Sequence, residues 1–317
     1  MKKKHIDYFL FVSVIIIGIF GIIMIYSASS IWAEFKYQDA FKYVKQQGLF
    51  FLVGIFVMLF CSRINLNFLK KKANLILAGC FLLLILVLIP GIGTVRNGSR
   101  SWFGIGGFGV QPSEFAKLGL IIFTSKYLSR NQKSMGDVKK GALPIFLVIG
   151  VFFLLIMLEP DFGTAMVMAL TLIALIFISG LKISFFVKLG ILGLAGIALL
   201  IIAAPYRMAR IVSFLNPWSD PLGSGYQIIQ SLYAIGPGGL LGQGFLNSRQ
   251  KHFYLPEPQT DFIFSIISEE FGFLGVLIVC GFFLFIFYRM LRIALQSNNL
   301  FSKYLAFGLA FGILIQA

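Results

Sequence analysis

The sequence predicts an all-α fold, a polytopic membrane helical bundle in which nine spans are visible. Of its 317 residues, 58% are hydrophobic and only 12% are charged, whereas a soluble domain carries roughly a quarter charged residues. Apolar runs of roughly 20 residues, the length that a helix needs to cross a bilayer, recur along the whole chain. We therefore expect residues 1–317 to form a single integral membrane domain.

The predicted spans are apolar stretches separated by more polar segments. The first lies near residues 8–28 and is followed by no A-x-A-like cleavage site, so we expect it to be retained rather than removed as a signal peptide. The other spans are predicted near residues 46–61, 73–90, 113–129, 142–158, 163–180, 185–204, 261–288 and from 301 to the end.

A long segment, residues 205–260, separates the seventh and eighth spans and forms the predicted large outer loop. It is rich in Gly and Pro, and it contains an apolar stretch, Tyr226–Ile235, that suits a short helix at the membrane interface. Loops of this length are more often functional than connective. We therefore expect function at this end of the bundle.

The distribution of charge predicts the orientation. The net charge is +15, and basic residues concentrate in alternate connections, for example at residues 2–4, 70–72 and 139–140. Basic excess in short loops marks the cytoplasmic side, so we expect a cytoplasmic N-terminus and an extracytoplasmic 205–260 loop. Because this pattern accounts for most of the positive charge, nucleic-acid binding is not expected.

A glycine-rich stretch follows the third span, where residues 101–117 read SWFGIGGFGVQPSEFAK. Its letters match the G-x-G-x-x-G nucleotide fingerprint, which has meaning only between a strand and a helix of a βαβ unit. The apolar run before it is too long for such a strand, so the match is a coincidence. We expect a backbone that lies along the membrane surface, with Trp102 and Phe103 as aromatic anchors.

Acidic side chains recur at the outer ends of spans, where ionisable groups are costly and are functional candidates by default. Glu114 and Lys117 are three residues apart and share a helix face. Asp161 lies in the sequence EPDFG, and Asp261 follows LPEPQT. Structural alternatives stay open: a self-satisfied pair for Glu114 and Lys117, and a residue favoured by the helix dipole for Asp261. Four ionisable groups on the same side of the membrane favour a shared polar cavity.

Basic side chains on the predicted outer side are candidate donors for an anionic headgroup such as a diphosphate; contact with lipid headgroups is the alternative for each. In the eighth span, Glu269 or Glu270 is expected to face a polar partner that the sequence does not identify. No Ser/His/Asp arrangement, metal motif or phosphate-binding loop is visible. The basic candidates are Arg96, Arg100, Arg207, Arg210, Arg249 and Lys251.

Four stretches resemble a known family: NGSRSWFGIGGFGVQPSEFAKLGLI, LEPDFGTAMV, NPWSDPLGSGYQIIQSLYAIGPGGLLGQG and QKHFYLPEPQTDFIFSIISEEFGFLG. The chain is similar to the SEDS family of shape, elongation, division and sporulation proteins from its first span to its end. It resembles the FtsW and SpoVE branch more than RodA. Family members have ten spans, so the missing tenth span and the missing SYGG motif indicate a C-terminally truncated chain.

The resemblance implies a peptidoglycan glycosyltransferase of the bacterial cytoplasmic membrane that polymerises lipid II at the outer face, in cell division or sporulation. It implies a class B penicillin-binding protein as the transpeptidase partner. By the family's motifs, Asp261 is the catalytic candidate, and Glu114, Lys117, Asp161 and Trp102 are the functional positions around the substrate.

The implied chemistry is attack of a sugar hydroxyl on an anomeric carbon, with Asp261 accepting the proton of a hydroxyl too weakly acidic to react unaided. The departing diphosphate needs positive charge, and its source stays open: Lys117, outer-loop arginines, or a divalent cation such as Mg²⁺ or Mn²⁺, with Asp261 as candidate ligand. A lipid II flippase and a non-catalytic scaffold for a transpeptidase are the alternative functions. Candidates clustered at the outer end favour the enzyme.

Overall fold

The structure, a computed structural model, describes residues 6–96, 98–105, 108–202, 208 and 212–317, and this part of the chain is predominantly helical. Three strands form one sheet: β1 (Thr94–Arg96), β2 (Ser99–Ile105) and β3 (Phe108–Val110). The helices are α1 (Tyr8–Tyr37), α2 (Lys42–Ser62), α3 (Leu66–Leu88), α4 (Pro112–Asn131), α5 (Leu143–Leu158), α6 (Phe162–Phe177), α7 (Ile183–Ile202), α8 (Tyr226–Ile235), α9 (Ile263–Leu295) and α10 (Leu300–Gln316).

The helices are those of a polytopic membrane protein, as predicted. Among the described residues, five helical segments are long and apolar enough to cross a membrane: α1, α2, α3, α9, and Val138–Leu158, in which a π-helical turn precedes α5. The helices α6 and α10 and the stretch Ile183–Gly196 of α7 are shorter and apolar. Each predicted span coincides with a helix over most of its length, although residues 203–204 of the seventh span lie outside the described residues. The predicted interfacial helix has the bounds of α8.

Several helices continue past their apolar stretch because polar residues extend them. The helix α1 runs nine residues beyond the predicted end at 28 and stops where Gln38 adopts a left-handed conformation (φ 55°), a common way to end a helix. The helix α3 begins before its apolar run, at a side-chain cap in which Asn65 accepts from the N–H of Asn67. Apolar length alone therefore underestimated both helices.

The three strands form an antiparallel sheet in the order β1-β2-β3, which the all-α prediction did not include. In the pairing of β2 with β3, Gly104 lies opposite Gly109. A Cβ on Gly109 would lie 2.8 Å from the Trp102 ring and 2.9 Å from the Arg96 guanidinium, so only glycine lets the strand pack this closely. Gly109 thus has a role in the packing of the sheet.

The chain divides into two compact units. The first unit comprises Met1–Arg63 and Ile191–Ile286, and the second comprises Ile64–Gly190 and Phe287–Ala317. In the first unit, a core cluster brings together Met24 of α1, Leu255 of the connecting segment and Ile266 of α9. In the second unit, α3 and α10 both pack on α4, and α10 also packs on α6.

Candidate active site

The start of α4, in the second unit, carries the predicted pair of Glu114 and Lys117. Pro112 is the first residue of the helix, a position where its missing N–H costs nothing, and Glu114 occupies the first turn. Lys117 Nζ lies 2.8 Å from Glu114 Oε1 and donates a 2.8 Å hydrogen bond to Gln316 Oε1 of α10. The lysine is buried, whereas much of the glutamate is exposed. The pair therefore has one protected and one open side.

A cavity of about 390 Å³ lies beside this pair, within the second unit. Its walls come mainly from apolar side chains of α4, α6 and α10, while Glu114, Lys117 and Gln316 supply charged and polar groups. Apolar walls with a few polar groups at defined positions are typical of ligand sites. This cavity suits a molecule with a hydrocarbon part and an anionic part.

Asp161, in the same unit, caps the N-terminus of α6. Its Oδ1 accepts from the Thr164 N–H at 3.1 Å, which is the usual interaction of an N-cap aspartate. Its Oδ2 accepts from Gln111 Nε2 at 2.6 Å, and Gln111 immediately precedes α4. Asp161 thereby ties the start of α6 to the start of α4, the helix that carries Glu114 and Lys117.

Glu159 lies two residues before Asp161 and is a carboxyl group that the sequence-based site did not include. It is fully buried, and neither side-chain oxygen has a hydrogen-bond partner in the described part of the chain. Burial, and secondarily the charge of Asp161, raises the pKa of Glu159 to about 8, because both disfavour the ionised form. At neutral pH the side chain is therefore mainly a neutral acid.

Trp102, the predicted aromatic position, lies on β2 in the second unit. The Arg96 guanidinium of β1 sits 5.0 Å from the centre of its ring, a cation–π arrangement. The Trp102 carbonyl accepts from Thr94 Oγ1 at 2.9 Å. The sheet therefore fixes the tryptophan, and it brings a predicted headgroup donor, Arg96, against the ring.

Asp261 belongs to the first unit and lies two residues before α9 begins. Its side chain is exposed. Within the residues that the structure describes, no hydrogen bond or ion pair engages its carboxylate. The start of a helix carries partial positive charge that favours an anion. This carboxylate is therefore accessible and, among the described residues, free of internal partners.

Lys251 and Glu270, also in the first unit, form a buried ion pair. The Lys251 ammonium lies 3.0 Å from Glu270 Oε1 and 3.2 Å from Ser27 Oγ of α1. The Ser27 hydroxyl donates to the same Glu270 oxygen at 2.5 Å. All three side chains are buried, so the Lys251 charge is directed inward and not towards solvent.

Glu269, the neighbour of Glu270, is bound by the residues that precede Lys251. Its Oε2 accepts from Ser248 Oγ at 2.6 Å, and its Oε1 accepts from the Arg249 backbone N–H at 2.8 Å. The sequence indicated that one glutamate of this pair faces a polar partner, and in the structure both do. The partners are distant in sequence, so no helical or strand periodicity identifies them.

The remaining predicted residues fall outside these clusters. The Arg249 side chain is exposed, and Arg207 and Arg210 lie outside the described residues. No group of three or more His, Cys, Asp or Glu side chains that could hold a metal ion occurs among the residues described. Sequence reasoning missed the contacts made by Gln111 and Gln316, since glutamine at a helix end carries no distinctive pattern.

Comparisons with known proteins agree with this architecture. The family described as "Cell cycle protein", comprising FtsW, RodA and SpoVE, matches residues 7–317. Stage V sporulation protein E of Bacillus subtilis (strain 168) is 49% identical over 315 residues, covering 99% of this chain and 86% of that protein. A probable peptidoglycan glycosyltransferase FtsW of Geobacter sp. (strain M18) is 39% identical, covering 98% of this chain and 84% of its own length.

A solved structure supports the same assignment. It comes from work on the structural coordination of polymerization and crosslinking by a peptidoglycan synthase complex, and its matching chain superposes with a TM-score of 0.74 at 30% identity. The match covers 97% of this chain and 83% of that one. With a family match along nearly the whole length and relatives well above 30% identity, this chain belongs to the FtsW/RodA/SpoVE family of cell cycle proteins.

Proposed function

We propose that this protein is a peptidoglycan glycosyltransferase that polymerises lipid II into glycan strands, in cell division or sporulation. Relatives named as probable peptidoglycan glycosyltransferases match nearly the whole chain, and a matching structure belongs to a peptidoglycan synthase complex. We place the reaction at the outer face of the bacterial cytoplasmic membrane, with a cytoplasmic N-terminus, on the basis of the basic loops.

The observation that carries the catalytic assignment is the free carboxylate of Asp261. A general base must reach the proton that it removes. The carboxylates of Asp161, Glu269 and Glu270 are engaged by internal donors, whereas the exposed Asp261 carboxylate has no partner among the described residues. Asp261 is therefore the group in this set that is available to accept the proton of the attacking 4-hydroxyl.

Substrate binding is proposed around the cavity beside Glu114 and Lys117. Lys117 supplies a positive charge for the lipid diphosphate, and the apolar walls accommodate part of the polyprenyl chain. Glu114 holds the lysine, and Asp161 fixes the helix start that carries both. Trp102, Arg249, Arg207 and Arg210 are proposed as further contacts for sugar and phosphate groups.

A divalent cation, Mg²⁺ or Mn²⁺, is proposed as an auxiliary charge on the leaving diphosphate. Magnesium is commonly held by one or two carboxylates together with substrate phosphates, and Asp261 offers such a carboxylate. Because no larger cluster of potential ligands occurs in the described residues, most ligands would come from substrate and water. The cation would neutralise charge on the diphosphate.

The proposed partner is a class B penicillin-binding protein that crosslinks the strands as they form. The synthase complex that this chain resembles is described as coordinating polymerization and crosslinking. We extend that pairing to this chain because the match covers 97% of its length. Lipid II and the membrane complete the set of partners, and no role for nucleic acid is proposed.

The test compares the full-length protein with its Asp261→Asn variant in a lipid II polymerisation assay. We expect a loss of roughly 100-fold or more, the usual contribution of a general base, with unchanged folding and partner binding. Asp39→Asn, at a partly exposed aspartate that pairs with Lys45, is the control for loss of an aspartate charge and should retain activity. A near-normal polymerisation rate in Asp261→Asn would reject the base assignment.

Lipid II transport is the second candidate, and the buried polar group of Ser27, Lys251 and Glu270 between α1 and α9 is the observation that favours it. A flippase needs polar groups along a path through the membrane, whereas Lys251 and Ser27 in this group contact each other and Glu270 Oε1, and only Glu270 Oε2 of the group lacks a partner among the described residues. Liposomes distinguish the functions. Strand formation from outer-leaflet lipid II supports the enzyme, and headgroup protection from an external quencher without strand formation supports transport.

A further inference from the structure

We propose that Lys251 and Glu270 are positioning residues that hold Asp261 in place for catalysis, an inference that rests on the proposed role of Asp261 as the base. The two residues are 19 positions apart, and Asp261 lies near the middle of the intervening chain. Their ion pair therefore closes residues 251–270 into a ring. We call this ring the 251–270 segment.

The ion pair is buried beside a cavity that Lys251 also lines, and Glu270 Oε2 has no hydrogen-bond partner among the described residues. Lys251 is only 3% exposed, and its ammonium contacts Glu270 and Ser27. A buried charge is tolerated only when it is paired and hydrogen-bonded, so the ammonium cannot leave this site to meet a substrate without uncovering Glu270. We therefore assign Lys251 to the support of Asp261 instead of to binding of the lipid headgroup.

Strained backbone in and next to the 251–270 segment shows why support is needed. Leu246, Phe253 and Glu257 adopt positive φ values of 67°, 67° and 48°, and non-glycine residues persist in such conformations only when their surroundings hold them. The Phe253 ring packs 5.6 Å from the Trp32 ring, and Leu255 is buried in the core. These contacts and the ion pair together fix the chain that leads into Asp261.

The other end of the segment is fixed by a break in α9. At Gly272 the backbone leaves the helix, with φ 62° and ψ −161°, which frees the carbonyls of Glu269 and Glu270. The backbone N–H groups of residues 243 and 244 donate to these carbonyls at 2.8 and 3.0 Å. A Cβ on Gly242 would lie 2.1 Å from the Glu270 carbonyl oxygen. The helical turn that carries Glu270 is therefore held by backbone as well as by Lys251.

Positioning matters for this reaction because the base must sit within hydrogen-bond distance of one hydroxyl. A displacement of about 1 Å can reduce the rate by roughly 100-fold. The Asp261 side chain has no hydrogen bond or ion pair in the described part of the chain, so its position depends on the chain on either side. The ion pair of Lys251 and Glu270 joins the chain before Asp261 to the chain after it.

The experiment measures kcat and KM for lipid II polymerisation by the full-length protein. The variants are Lys251→Met, Glu270→Gln, and the double variant Lys251→Met with Glu270→Met, with rates normalised to folded protein. Lys133→Met, at an exposed lysine in the turn after α4, is the control for loss of a lysine charge. We expect each single variant to lose tenfold or more in kcat with KM within twofold, and the control to match the parent protein.

A second measurement is independent of activity. A maleimide reagent is applied to Asp261→Cys in a protein whose natural residues Cys61, Cys80 and Cys280 are replaced by Ser. Adding Lys251→Met should change the labelling rate at position 261 at least threefold. Without the ion pair the 251–270 segment is no longer held in place, so the accessibility of the cysteine at position 261 changes.

These outcomes separate the two proposals. A raised KM with unchanged kcat in Lys251→Met, with Glu270→Gln unaffected, would overturn the positioning role in favour of substrate binding. An unchanged labelling rate would overturn it as well. Full activity in Asp261→Asn would instead remove the base assignment, while the labelling result would still report whether Lys251 holds the segment.

Discussion

Two ion pairs of almost equal length have opposite surroundings in this protein. Lys251 and Glu270 are 3.0 Å apart, with side chains 2% and 0% exposed. Lys117 and Glu114 are 2.8 Å apart, with side chains 11% and 45% exposed. The first pair closes a segment of chain in the first unit, whereas the second borders an apolar cavity in the second unit.

The comparison shows that surroundings, and not distance, separate a supporting pair from a binding pair. Around Lys251, the described partners are a serine hydroxyl and a carboxylate of its own chain. Around Lys117, the glutamate remains open to solvent and Gln316 is a neutral partner, so an anionic ligand can replace a contact without leaving a buried charge unpaired. Changes at the Lys251–Glu270 pair should therefore lower the free energy of unfolding, and changes at the Lys117–Glu114 pair should weaken the interaction with substrate.

The largest expected effect is on the stability of Lys251→Met. Removing one partner of a buried ion pair leaves an uncompensated charge and costs about 3–5 kcal/mol. We expect a loss of that size in the free energy of unfolding, measured by denaturant titration in detergent. The double variant Lys251→Met with Glu270→Met should recover much of it, since a buried pair can often be replaced by apolar residues.

Lys45→Met is the matched control for this prediction, because the Lys45–Asp39 pair in the same unit is 2.8 Å long but exposed. Exposed pairs contribute about 0–1 kcal/mol, so the control should unfold nearly as the parent protein does. Equal losses in Lys45→Met and Lys251→Met would refute the contrast between closed and open pairs.

Lys117→Met should affect catalysis more than stability. Hydrogen bonds to charged groups contribute about 1.5–3 kcal/mol, so loss of a diphosphate contact should lower kcat/KM by roughly 10- to 100-fold. Because Glu114 stays solvated, the free energy of unfolding should fall by no more than about 1 kcal/mol. Steady-state polymerisation kinetics and denaturant titration provide the two numbers. A loss in the free energy of unfolding as large as that of Lys251→Met would mean that the Lys117–Glu114 pair also supports the fold, and would contradict the comparison.

Gly272→Ala tests the helix break that supports the first pair. A Cβ there would lie 2.4 Å from the Gly242 backbone nitrogen, and the positive φ alone costs a non-glycine residue about 1–3 kcal/mol. We expect the free energy of unfolding, measured by denaturant titration, to fall by at least that amount. Gly281→Ala, in the same helix with open space around its Cβ, should instead be neutral or stabilising by up to about 1 kcal/mol. Tolerance of alanine at 272 would mean that the break is not required.

The sequence was sufficient for the helices and for one of the two pairs. Spans follow from apolar length, and Glu114 with Lys117 follows from helical spacing, so both are local properties. The pair of Lys251 and Glu270 is formed by the fold. Its members are separated by residues 252–262, which lack regular secondary structure, and by the first turns of α9. Ser27 lies far away in α1, so no periodic pattern joins the three residues.

The sheet and the break at Gly272 were also beyond sequence reasoning, for a physical reason. Glycine permits both a close-packed strand and a left-handed backbone, and its identity does not say which. At Gly109 the deciding fact is the Trp102 ring beside it, and at Gly272 it is residues 239–244 that pair with the freed backbone groups. Both facts are tertiary contacts.

The smallest expected effect concerns Glu159, a buried carboxyl in the second unit with no charged partner of opposite sign among the described residues. Its pKa is raised from the ordinary 4.5 to about 8, mainly by burial. The unfolded chain releases this proton above pH 4.5, while the folded chain keeps it until about pH 8. Stability is therefore fully retained below pH 4.5, declines as the pH rises towards 8, and is level above that.

Glu159→Gln removes this pH dependence because the amide does not ionise. The difference in Tm between the parent protein and Glu159→Gln should shift steadily in favour of the variant from pH 5 to pH 8. Asp220→Asn is the control: hydrogen bonds from Ser224 lower the pKa of Asp220 below its ordinary 3.8, so its contribution is constant above pH 5. A pH-independent difference for Glu159→Gln would mean that the pKa of Glu159 is the same in the folded and the unfolded protein, so that burial does not keep the carboxyl neutral.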